Sequence, residues 1–185
     1  MKKLAIFATA ALSLLNAHAA SAQTWTPGPG TAPVWVWQGT VTVQKGGSPA
    51  FPCTLTVEIV NPGTGSATVT QQPAITPGNT DGVEFDAGFF ACPGIVPVTQ
   101  PFNVDYNNAG GAETFTIRNV YAFTPTPGDC AGDITAAFND DNPPTSGDNS
   151  LDVNAVIPEV TPGSGNCTII GNLRLITPGA PVDIT

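Results

Sequence analysis

The chain has 185 residues, with 5 lysines and arginines against 14 aspartates and glutamates, a formal net charge of −9 and a pI near 4.1. So acidic a surface repels phosphate backbones and anionic headgroups, which argues against nucleic acid as a partner. With 20 glycines and 19 prolines, few windows of a dozen residues escape both, which leaves little room for long helices.

Residues 1–22 read as an export signal rather than as part of the fold. Lys2 and Lys3 form a positive start, Leu4 to Leu15 an apolar run, and Ala20-Ser21-Ala22 a small-residue cleavage site before Gln23. Ala17-His18-Ala19 is a second possible site. The apolar run falls short of the ~20 residues of a membrane span, and no later stretch qualifies. The expected protein is therefore secreted or at the cell surface of a bacterium, with no transmembrane segment. Removing 22 of 185 residues leaves 163, takes away the only histidine (His18) and the only methionine (Met1), and keeps all 14 acidic residues against Lys45, Arg118 and Arg174, a net charge of −11. A chain of this length can bury roughly 70% of its unfolded surface, enough for one core.

The expected organisation is a Pro/Gly-rich lead-in over residues 23–33, too broken for regular pairing, and one all-β domain over residues 34–185. Strands are read from period-2 alternation between turn signals. The first runs from Val34 to Val43, with a bulge expected at Gly39; Lys45-Gly46-Gly47 turns it into the strand Cys53–Val60. Further strands are expected over 66–72, 82–90, 102–106, 113–121, 133–138, 150–157 and 167–176, about ten in all. Cys53–Val60 and the Cys167 strand both open on Cys-Thr and close on a Pro-Gly turn. The fold class expected is an antiparallel β-sandwich or barrel-like meander with two disulfides.

Cys53, Cys92, Cys130 and Cys167 are even in number in an exported chain, so two cystines are expected. The gaps of 39, 38 and 37 residues do not choose among the three pairings. A meander does: from Cys130 the chain runs up one strand, returns along 150–157 and reaches Cys167 at the starting end. The same count brings Cys53 to Cys92. No CxxC pair is present, which disfavours zinc binding and thiol redox chemistry.

Candidate chemistry is sparse. Without a histidine beyond His18, Ser-His-Asp and Cys-His machinery is excluded. A carboxylate pair for glycoside hydrolysis would draw on Glu84 and Asp86, which share a strand face, with Asp105 or Glu113; solvated strand faces account for them better. The stretch Asn139–Asp152 contains Asp140, Asp141, Asp148 and Asp152, oxygen ligands of the kind Ca²⁺ takes, but its spacing matches no EF-hand, and a hairpin loop explains the same residues. Trp25, Trp35 and Trp37 gather near the start of the domain. Trp35 and Trp37 share a strand face, as a carbohydrate platform or an apolar contact surface requires, though core packing is the commoner use of such a pair. Asn166-Cys167-Thr168 matches a glycosylation acceptor, of little weight in a bacterial chain. No cofactor is expected, and the chain reads as non-enzymatic.

Lys45-Gly46-Gly47, Cys53-Thr54, Cys92, Cys130 and the closing Cys167-Thr168-Ile169-Ile170-Gly171-Asn172-Leu173 together resemble the bacterial protein activator of alkane oxidation family, the PraB-like proteins. The lead-in and the 139–152 loop depart from that pattern. The resemblance implies a small secreted or surface-associated protein linked to growth on hydrocarbons through surface activity or a matrix role, and it transfers no catalytic residue. Three functions are therefore weighed: action at hydrophobic interfaces, a subunit of a surface fibre or biofilm matrix that self-associates through the lead-in as a donated strand, and a carbohydrate-binding module.

Overall fold

The computed structural model describes residues 24–26, 34–63, 67–69, 82–98, 102–108, 111–139, 149–177 and 183–184. Residues 1–22, most of the lead-in and most of the acidic loop lie outside them. The strands are β1 (Trp25–Thr26), β2 (Val34–Lys45), β3 (Phe51–Val60), β4 (Ala67–Val69), β5 (Val83–Gly88), β6 (Val96–Val98), β7 (Phe102–Asn107), β8 (Thr114–Phe123), β9 (Cys130–Asn139), β10 (Ser150–Ile157), β11 (Cys167–Leu175) and β12 (Asp183–Ile184). One turn of 3₁₀ helix, Cys92–Gly94, separates β5 from β6.

The long strands form a nearly closed antiparallel barrel. Around it the order is β2, β11, β10, β9, β8, β7, β4, β3, and β3 pairs back onto β2. Eight strands enclose an interior narrow enough for side chains to occupy most of it. The alternation read from the sequence decides what faces inward. On β2 these are Trp35, Trp37, Val41 and Val43, on β9 Ile134, Ala136 and Phe138, and on β10 Leu151, Val153, Ala155 and Ile157, all buried.

The two ends of the barrel differ. At one, Trp25, Trp35, Trp37, Tyr106, Phe115 and Phe138 stack into a plug, with centroids 5.0 Å apart for Trp25 and Trp35 and 5.1 Å for Phe115 and Phe138. The lead-in is not free of pairing as expected: β1 pairs with β12 (Trp25 with Ile184) and carries Trp25 into the plug, its backbone N–H donating to Gly63 O at 3.0 Å. A large aromatic residue repays the ordering of a short strand through the area it buries. At the other end lie both cystines, Cys53–Cys92 and Cys130–Cys167, the pairing expected from the meander.

The bulge expected at Gly39 is absent. The register of β2 on β11 is unbroken across Gly39, with Val41 opposite Gly171 and Gln38 opposite Arg174. Gly39 is there because β11 comes too close for a side chain: a Cβ would collide with Asn172 O. The bulges fall elsewhere. One lies in β8 between Ile117 and Val120, where Asn119 takes a φ of 55°. The other lies in the β3–β5 ladder between Cys53 and Leu55.

Each cystine closes a loop of nearly forty residues, worth about 3–4 kcal/mol in the chain-entropy account. Reduction should lower the melting temperature by ten degrees or more in total, on the order of 4 °C per kcal/mol for a domain of this size. Thermal melts with and without reductant check this; unchanged melts refute it. Trp25→Ala should cost about 3–5 kcal/mol, measured by urea unfolding, because it empties the plug; a loss under 1 kcal/mol would show that β1 is dispensable.

Candidate functional site: an apolar mouth at the cystine end

The bulge at the end of β5 opens the site. Cys53 is opposite Gly88 while Leu55 is opposite Phe85, so an extra residue in β5 kinks the strand. Gly88 has a φ of +126°, and a Cβ there would meet Pro52 O, so only glycine fits. The chain then leaves the ladder. Phe89 N donates to Pro52 O at 3.1 Å, and the 3₁₀ turn is tied to β3 by the Cys53–Cys92 bond.

Leaving the ladder exposes two aromatic rings. Phe90 is 87% and Phe89 42% exposed. Their rings lie 4.2 Å apart, and Phe89 lies 5.0 Å from Phe51. With Pro49, Pro52, Pro125 and Ala91 they line an open groove of about 530 Å³. Phe123 and Val96, opposite one another on β8 and β6, add further exposed apolar surface at the same end. Adjacent exposed aromatics in one groove are the sort of patch that marks a contact site.

Below the mouth, inside the barrel, is an apolar void of about 40 Å³. It shares Phe51 and Pro125 with the mouth groove. Among the described residues Lys45 is the one charged residue in its wall, 7% exposed. Its ammonium donates to Gly165 O at 3.0 Å and lies 3.4 Å from the Cys130 sulfur. Lys45 thereby fastens the end of β2 to the 159–165 turn, where the Glu159 carboxylate accepts from the N–H groups of Gly163 and Gly165. Those two bonds, first Gly163 and then Gly165, hold the Glu159 carboxyl below its ordinary range.

The residues singled out from the sequence are placed as follows. Trp25, Trp35 and Trp37 are buried at the opposite end, so the folded chain offers none of them to a sugar or to an oil phase. This corrects their reading as surface contacts: their alternation faces the barrel interior, where Trp35 packs on Trp25 and Trp37 on Phe115 and Phe138. Glu84 and Asp86 share the outer face of β5 as expected, while Asp105 is taken up by Arg118. That guanidinium binds Asp105 and Asp133, each at 2.7 Å. The Asn119 N–H and then Arg118 hold the Asp133 carboxyl low. Of the suggested calcium ligands, Asp140, Asp141 and Asp148 lie outside the described residues. Asp152 accepts from the Asn172 and Asn139 side-chain amides at 2.6 and 2.9 Å, which depress its pKa in that order. Among the described residues no three His, Cys, Asp or Glu side chains gather as a metal site, and no helix is long and apolar enough to cross a membrane, which says nothing of strands.

Sequence reasoning missed Phe51, Phe89 and Phe90. One signal was available: two adjacent phenylalanines in Gly88-Phe89-Phe90-Ala91-Cys92 cannot both face inward on a strand. It also missed Glu58, 1% exposed on β3. Burial, and secondarily the Glu84 charge, push its carboxyl above the ordinary value.

The architecture and the site define a small, disulfide-stapled β-barrel with an aromatic plug at one end and an apolar mouth at the other. No curated protein and no solved structure matches it. The chain belongs to the alkane oxidation protein activator family, PraA/PraB-like, whose model matches residues 1–184.

The raised carboxyl of Glu58 gives a test. The folded state holds that proton more tightly than the unfolded chain, so stability falls as pH rises through the raised pKa and the penalty is complete above it. Glu58→Gln removes it. The variant should melt higher than the parent near pH 7, and the difference should close near pH 4 and below; a melting temperature no higher than the parent's near neutrality refutes the assignment.

Proposed function

We propose that this is an exported, non-enzymatic protein that promotes the use of hydrocarbons by acting at hydrophobic surfaces, with the Phe51–Phe89–Phe90 mouth as its contact. The observation that carries the reading is Phe90, 87% exposed beside Phe89, on a chain whose family is described as alkane oxidation protein activators. A soluble protein gains nothing in water by displaying stacked phenylalanines; it gains roughly 25 cal/mol for each Å² of them that an apolar phase covers.

Export is supported by the composition of residues 1–22 and by four cysteines joined in two bonds, chemistry suited to an oxidising compartment. A non-enzymatic role is supported by the location of the only histidine, His18, in the segment read as the export signal. The acidic balance serves the same role: self-repulsion keeps the barrels dispersed at neutral pH and low salt while one apolar end stays available. The Cys53–Cys92 bond anchors the aromatic segment, so the mouth is held in shape before contact, which reduces the ordering cost of adsorption.

Pendant-drop tensiometry at an oil–water interface tests this. The wild type should lower the tension, and Phe89→Ser with Phe90→Ser should remove most of that effect with the fold intact by circular dichroism. Adsorption should rise as pH is brought toward the pI near 4.1, since lost charge weakens repulsion in the film. A double variant as active as the wild type overturns the assignment of the mouth.

A further inference from the structure

The barrel wall is not uniform. In the half nearer the plug, β4 and β7 bridge β3 to β8; in the half nearer the mouth, β5 hangs on β3 and β6 on β8. Among the described residues no ladder joins β5 to β6. A groove of about 120 Å³ runs along this seam. Val83, Phe85, Ile95 and Pro97 line both this groove and the apolar void inside. The void thus lies directly behind a gap in the hydrogen bonding of the described wall.

We propose that the seam between β5 and β6 admits one alkyl chain, whose end enters the void, and that the site takes an uncharged single-chain molecule, an n-alkane or a primary alcohol, and rejects the corresponding carboxylate. Three observations support this. First, the void wall is mostly apolar, with Ser48, Thr124 and Thr126 among its lining, and the ammonium of Lys45 in that wall is already bound to Gly165 O. Such a space stays dry and gains contacts when an apolar group fills it. Second, among the described residues no ladder joins β5 to β6, so parting them breaks no ladder hydrogen bond. Third, the groove's charged lining is Glu84 and Asp86, with no basic residue among its described walls. A carboxylate headgroup there meets like charge and a desolvation cost, whereas a hydroxyl or methyl end does not.

The inference rests on the reading of this end as a surface for hydrocarbon, but it fails separately. The mouth acts on a bulk phase; the seam binds one molecule. The probe is 1-decanol below its solubility limit, with decanoate at pH 8 as the opposing arm, added to the protein with both cystines intact. Methyl resonances of Val83, Ile95, Val120 and Ile134 should shift saturably with 1-decanol. Decanoate should bind about tenfold more weakly or worse. Glu84→Gln with Asp86→Asn should narrow that gap. Ala122→Val, which adds two methyl groups at the void wall, should abolish 1-decanol binding and leave the tensiometry of the wild type unchanged; if it does not fold, Val120→Ile serves, with the same expectation of weakened binding. Absence of saturable shifts, or shifts confined to Phe89 and Phe90, overturns the seam site while leaving the interfacial reading standing. Equal binding of decanoate and 1-decanol overturns the selectivity. Loss of surface activity in Phe89→Ser/Phe90→Ser together with retained 1-decanol shifts supports both; retained surface activity in that variant sinks the mouth alone.

Discussion

The structure depends on the pairing of β2 with both β3 and β11. β3 follows it through a short turn, while β11 is more than a hundred residues away in sequence. That second pairing turns a meander into a ring. It requires the backbones to meet closely at Gly39 and Gly171, where a Cβ on either would run into the opposite strand. Antiparallel sheets gain by closing because edges are removed. The inward face of β2 then becomes the interior wall, and Trp35 and Trp37 become the base on which the aromatic plug is assembled.

Closure of this kind brings contacts of long sequence separation, which are slow to form because loop entropy must be overcome first. The two cystines fall where they help most, at the end that lacks the plug. There the core is lighter, a void remains, and the wall between β5 and β6 has no ladder. One end is stabilised by buried aromatic area and the other by covalent crosslinks and by the Lys45 contact with the 159–165 turn. The division lets the cystine end carry exposed phenylalanines and an unpaired seam without depending on them for stability.

Charge follows the same division. Arg118 is satisfied by Asp105 and Asp133, and Lys45 is satisfied within the fold, so the described surface presents carboxylates far more often than cations. Asp133, Asp152 and Glu159 accept hydrogen bonds that favour their ionised forms, so the stability they contribute is lost only as pH falls below the ordinary carboxylate range. Glu58 works in the opposite direction. An acidic body with one apolar end is what the proposed interfacial role requires.

The sequence by itself determined the all-β class, most of the long strands, the cystine pairing and the family. The first three follow from short-range regularities: period-2 alternation on 34–43, 150–157 and 167–176, turn residues between strands, and the end of the sheet to which each cysteine is delivered; the family is read as a resemblance carried by the Lys45-Gly46-Gly47, Cys53-Thr54 and Cys167–Leu173 motifs. Tertiary structure alone decided the rest. Period-2 alternation tells which residues share a face but not whether that face looks in or out, so core packing is the favoured reading of Trp35 and Trp37 but a surface platform stays open; ring closure made them part of the plug. Trp25 is buried only because β12 returns from the far end of the chain to pair with it, a contact that no local signal encodes. Phe89 and Phe90 reach solvent because a bulge opposite Cys53 turns the chain out of the ladder. The seam exists because β5 and β6 attach to different neighbours. Both depend on register between strands distant in sequence, which side-chain pattern leaves open.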